Sequence, residues 1–151
     1  MKSYFSLLLV ILFMSCSNDD SNNKIETEAD ILQYISNHNL VTKKSNSGLY
    51  YVIQKQGEGA KPTSNSNVTV NYKGYFLNGK IFDQSSAAGI SFNLQQVIKG
   101  WTEGLQLMSV GSKWKLYVPS ELAYGERSAG PKIPGNSVLI FDLELLSIKG
   151  K

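Results

Sequence analysis

The chain has 151 residues, 42% of them hydrophobic and 18% charged, enough for one modest domain with its own core. Fifteen basic against 12 acidic residues leave a net charge of +3, which gives no electrostatic case for nucleic acid or for a polybasic membrane patch. A single cysteine rules out an internal disulfide, and the one histidine has no acid, nucleophile or second metal ligand beside it.

The chain starts with a basic Lys2 and the apolar run Leu7 to Phe13, too short for a spanning helix but suited to a secretory signal. Cys16, just after Phe13-Met14-Ser15, resembles the cysteine of a bacterial lipobox, although Phe13 and Met14 depart from the usual leucine and small residue. That placement makes Cys16 the expected lipidation site and anchors the protein to a membrane of the bacterial cell envelope, at the outer membrane or periplasmic face. Ser17 to Lys24 has no apolar side chain and reads as a solvated tether. Thr27 to Asn37 then reads as a helix, with Thr27 and Asp30 as a capping pair and Ala29, Ile31, Leu32 and Ile35 gathered toward one side. About three turns are marginal alone, so this helix must pack on the domain or on a partner, leaving a monomer or a dimer through the helix open. His38 at its end has no expected role. The expected units are a signal peptide at 1–15, a lipidated cysteine and tether at 16–25, a helix and linker at 26–46, and a globular domain at 47–151.

Within that domain the periodicity becomes strand-like. Leu49 to Ile53 is β-rich, and Val68, Val70 and Tyr72 alternate with Thr69, Asn71 and Lys73. Asn78-Gly79 is the strongest short hairpin signal and folds Ile81-Phe82-Asp83 back on the preceding strand. Gln84 to Gly89 is a loop, and Phe92 and Leu94 lead into a helix opening at Val97-Ile98-Lys99-Gly100-Trp101. Ile98, Trp101, Leu105 and Met108 share helical spacing, while Gly100 and Gly104 suit a backbone passing close to something else. Trp114, Leu116 and Val118 alternate with Lys113, Lys115 and Tyr117 in another strand. Glu121 to Gly135 is a long loop of the kind that carries function, and Val138 to Ile148 is the last strand. Strands without an alternating βα pattern predict an α+β fold, an antiparallel sheet wrapped on the central helix.

Reactive chemistry is scarce: the sequence offers no Ser/His/Asp set, no phosphate-binding glycine loop and no metal cluster. It offers aromatics instead, Tyr72, Phe82, Trp101, Tyr124 and Phe141, with the carboxylate of Asp83 directly after Phe82. Residues of this kind bind an apolar group and expel water.

Phe82-Asp83, Gly100-Trp101, Ala123-Tyr124-Gly125 and Phe141 to Leu146, in this order, resemble the FKBP-type peptidyl-prolyl cis-trans isomerases. The resemblance covers about Ser47 to Ile148 and implies an antiparallel half-barrel of five to six strands around one short helix, with a separate N-terminal helix. It implies Trp101 as the floor for a proline ring, with Tyr72, Phe82, Val97, Ile98, Ile133 and Phe141 as walls. The Ile98 N–H would hold one substrate carbonyl and the Tyr124 hydroxyl a second, while Asp83 would accept a hydrogen bond within the wall. Asp83, Tyr124, Phe82 and Trp101 are thus the expected catalytic residues, with no metal and no cofactor. The implied partners are proline-containing polypeptides and macrolide ligands. Gln96, the short loop ending at Ile90, Ala129 and Lys132 depart from the family pattern, and all four are expected to line or rim the pocket. The same pocket would also suit a lipid-anchored binding module or chaperone for proline-containing segments with little turnover.

Overall fold

The computed structural model describes residues 24–150, so the expectations for the signal peptide, Cys16 and most of the tether lie outside the described residues. Seven strands form one antiparallel sheet: β1 (Lys43–Lys44), β2 (Tyr50–Lys55), β3 (Asn67–Tyr75), β4 (Ile81–Gln84), β5 (Ile90–Asn93), β6 (Lys113–Val118) and β7 (Leu139–Ile148). Their order is β1-β2-β6-β7-β3-β4, with β5 beside β4 on the same edge of β3. The expected five to six strands are exceeded by β1 and β5, pieces of two and four residues that are too short to show a period. β7 is the spine, pairing with β3 from Val68↔Ile148 to Tyr75↔Ile140 and with β6 from Lys113↔Glu144 to Val118↔Leu139. The Asn78-Gly79 turn forms as expected, with Phe76 N–H donating to Lys80 O at 3.0 Å and Gly79 at φ 85°.

Helix α2 (Lys99–Leu107) lies in the concave face, burying Trp101 and Leu105 among Val68, Val70, Leu116, Phe141 and Leu145. Gly100 and Gly104 explain how it comes so close. A Cβ on Gly100 would sit 2.6 Å from Val118 Cγ1, and one on Gly104 would sit 2.8 Å from Leu116 Cδ1. Each glycine weakens the helix by about 1 kcal/mol relative to alanine, and contact with β6 offsets that loss.

Helix α1 (Glu28–Asn37) covers part of the convex face instead. Asp30 holds its start, accepting from the Thr27 amide at 2.8 Å and the Thr27 hydroxyl at 3.2 Å. Ile31 is fully buried against Tyr50, Tyr75, Tyr117, Val138 and Ile140, a second core on the outer side of the sheet. Two expectations change here. Ala29 and Leu32 do not join the packed side: both are exposed, and Tyr34 takes their place against the sheet. Tyr117, which alternates with lysines and so reads as solvent-facing, is fully buried beneath α1. His38 closes the helix, its ring stacked on Tyr34 with centroids 3.9 Å apart and its Nδ1 hydrogen-bonded to Tyr34 O at 2.8 Å.

Candidate functional site

A cavity of about 770 Å³ opens where the start of α2 meets β3, β4, β7 and the loop between β6 and β7. Tyr72, Phe82, Asp83, Val97, Ile98, Trp101, Tyr124, Ile133 and Phe141, the residues singled out in the sequence, all line it. Trp101 is 4% exposed and forms the bottom. Three rings stand nearly perpendicular to its indole: Tyr72 at 5.1 Å and 78°, Phe141 at 5.2 Å and 80°, and Phe92 at 5.5 Å and 88°. Each edge-to-face pair contributes about 0.5–1.5 kcal/mol beyond area burial, so the basket is rigid before anything enters it. Phe82 stands edge-on to Phe141 at 5.7 Å and extends the wall.

The strand pattern explains why these rings converge. Tyr72 and Gly74 alternate onto the concave face of β3, and Phe141 faces them from β7 through the Gly74↔Phe141 pairing. Gly74 leaves the room for the rings: a Cβ there would lie 2.6 Å from Phe82 Cζ and 2.9 Å from Phe141 Cε1.

Polar groups are few and specifically placed. Tyr72 Oη donates to Asp83 Oδ2 at 2.5 Å, while Asp83 Oδ1 accepts from the Gln84 amide at 2.9 Å. Burial, and then the bond to Asp83, push the Tyr72 hydroxyl above the usual tyrosine range, so it remains a donor at neutral pH. The carbonyl of Ile98 starts α2 by accepting from Trp101 and Thr102, whereas its amide N–H has no partner among the described residues. That leaves a free donor at the mouth of the cavity. Tyr124 is 46% exposed and lines the cavity from the loop between β6 and β7.

Phe92, which no sequence pattern marks as a site residue, also packs edge-on against the indole. Its place on the four-residue β5, too short to show a period, hides it. Ile90, expected at the rim, is 44% exposed and outside the cavity lining; on β5 it pairs with Val70. Gln96, Ala129 and Lys132 do line the cavity, as do Lys99 and Pro131. The lining has no serine, cysteine or histidine, and no cluster of three His, Cys, Asp or Glu that could hold a metal exists among the described residues. This chemistry suits enclosing a compact apolar ring and holding polar groups beside it.

The FKBP-type peptidyl-prolyl cis-trans isomerase family matches residues 58–146. The FKBP-type peptidyl-prolyl cis-trans isomerase FkpA of Aeromonas hydrophila is 53% identical over 109 residues, which are 71% of this chain and 40% of that protein. Outer membrane protein MIP of Legionella longbeachae is 50% identical over 105 residues, 68% of this chain and 45% of that protein. The chain thus spans less than half the length of these relatives. Among solved structures, a peptidyl-prolyl cis-trans isomerase from Pseudomonas syringae pv. tomato superposes with a TM-score of 0.72 at 36% identity, covering 84% of this chain and 98% of that one. FkpA from Escherichia coli gives 0.73 at 44% identity, covering 81% of this chain and 59% of that one.

Proposed function

The chain belongs to the FKBP-type peptidyl-prolyl cis-trans isomerases, and we propose that its cavity accelerates rotation about the bond preceding proline in exported polypeptides. The observation that carries this reading is the indole floor walled by perpendicular aromatic rings. Rotation about a peptide bond is opposed by a barrier of about 18–20 kcal/mol, because the C–N bond has double-bond character. Twisting localises the nitrogen lone pair and makes the amide less polar. A dry aromatic pocket therefore favours the twisted state over the planar one, which is differential transition-state binding without a covalent step. A thousandfold acceleration requires only about 4 kcal/mol.

In this mechanism the proline ring stacks on Trp101 between Tyr72, Phe82, Val97, Ile133 and Phe141. The free Ile98 N–H holds one substrate carbonyl, and the Tyr124 hydroxyl donates to a second. Asp83, fixed by Tyr72, orients the polar edge beside the rotating bond. No cofactor enters the scheme. The same pocket would receive macrolide ligands, with Gln96, Ala129 and Lys132 altering the rim they meet.

We further propose a lipid anchor at Cys16 after removal of 1–15, a tether to residue 25, and a bacterial envelope location. The lipobox-like segment and a relative named as an outer membrane protein support this placement. Cis-to-trans exchange of a proline tetrapeptide, followed by NMR, tests the activity. We expect acceleration by the parent, and a loss of about tenfold in Asp83→Val and Tyr124→Phe, equivalent to about 1.4 kcal/mol of barrier. A folded protein without effect on exchange would overturn the isomerase reading in favour of a proline-binding module.

A further inference from the structure

We infer that Glu26 is a positioning residue for the loop that carries Tyr124, which makes the arm preceding α1 part of the working site; this rests on the isomerase reading above. Glu26 lies outside residues 58–146, the span shared with the family.

The connection is a chain of backbone hydrogen bonds. Gly125, next to Tyr124, is held on both sides: its amide donates to Ser120 O at 2.8 Å, and its carbonyl accepts from the Asn136 amide at 2.7 Å. The first bond ties Tyr124 to the exit from β6, and the second ties it to the return segment entering β7. Asn136 has a left-handed backbone, φ 59°, which asparagine adopts more readily than most residues, and its carbonyl at this bend is supported from outside. Glu26 supplies that support. Its amide donates to Asn136 O at 3.0 Å, and its carboxylate accepts from the Val138 amide at 2.7 Å. One residue therefore grips the return segment on both sides of Ser137. Val138 is fully buried in the cluster containing Ile31, so the grip is anchored to the docked helix α1.

The carboxylate is the stronger half of this grip, because hydrogen bonds to ionised acceptors are about twice as strong as neutral ones. Burial pushes the Glu26 carboxyl above the usual carboxylate range, so ionising it in the fold costs stability. Glutamine would keep an acceptor for the Val138 amide without that cost. Aspartate would keep the charge but fall short by one methylene.

The test compares the full-length chain with Glu26→Ala, Glu26→Asp and Glu26→Gln by two readouts. The first is amide hydrogen exchange at Gly125 and Asn136, whose own acceptors are untouched by these changes. The second is the split of kcat and KM for a proline tetrapeptide. In Glu26→Ala and Glu26→Asp, protection at Gly125 and Asn136 should be almost entirely lost, the loop being open in most molecules. KM should rise roughly three- to tenfold with kcat within about twofold, since a smaller fraction of molecules holds the loop ready for substrate. Glu26→Gln should stay within about twofold of the parent in both readouts. Unchanged protection and unchanged KM in the alanine and aspartate variants would overturn the inference. So would a glutamine variant as impaired as the alanine one. A parent without isomerase activity would sink the isomerase reading instead, and exchange at Gly125 and Asn136 would still decide whether Glu26 positions the loop.

Discussion

Replacing Tyr72 with Phe and Asp83 with Ala, singly and together, isolates the one hydrogen bond between side chains in the cavity wall. At 2.5 Å it lies at the short end for a hydroxyl donating to a carboxylate. Bonds to charged groups contribute about 1.5–3 kcal/mol when shielded, but Asp83 is exposed and water competes for it. We expect a coupling near 1 kcal/mol between the two positions. The single changes should be unequal. Tyr72→Phe leaves an exposed carboxylate that water solvates, costing about 0.5 kcal/mol, whereas Asp83→Ala strands a partly buried hydroxyl at about 1–2 kcal/mol. Urea unfolding of the four proteins gives the stability cycle, and NMR exchange of a proline tetrapeptide gives the activity cycle. Each single change should lower kcat/KM about tenfold, and the double change little further, because both remove the same bond. Effects that add to within about 0.3–0.5 kcal/mol in both cycles would refute the claim that the pair acts as a unit.

Alanine at Gly74 should drive its Cβ against Phe82 and Phe141, destabilising by about 1–3 kcal/mol and raising KM; a variant unchanged in both urea midpoint and KM would contradict the packing argument. The buried Tyr117 hydroxyl meets no partner among the described residues, so Tyr117→Phe should be neutral or stabilising by up to about 1 kcal/mol. A fall in the denaturation midpoint equivalent to more than about 1 kcal/mol would show that this hydroxyl has a partner after all. The Tyr72 hydroxyl has its folded-state pKa raised, so its contribution to stability is intact below about pH 10 and lost as pH rises through the folded value. Since the lining contains neither histidine nor cysteine, kcat/KM should be flat from about pH 6 to 9, and a bell-shaped profile there would implicate a titrating group outside the proposed set.

Periodicity carried much of this protein into view. The alternation of Val68, Val70 and Tyr72, the Asn78-Gly79 turn and the spacing of Trp101, Leu105 and Met108 are local properties, and each element formed close to where its pattern lies. Gly100 and Gly104 were legible for the same reason, since glycine in a helix is out of place unless something approaches closely. Alternation separates two faces of a strand but does not say what covers either one. Tyr117 sits among lysines on the convex face of β6, and only the docking of α1 buries it. Phe92 was obscured by the brevity of β5, whose existence depends on pairing with β3, just as β1 depends on β2. The grip of Glu26 on Val138 joins residues 112 positions apart through a backbone amide. Every residue except proline carries such an amide, so no side-chain pattern encodes that contact. The sequence by itself determined the elements and the aromatic inventory of the cavity, because both rest on local periodicity and residue chemistry. Only the tertiary structure decided which face α1 closes and what holds the Tyr124 loop, because those depend on which distant backbone groups meet.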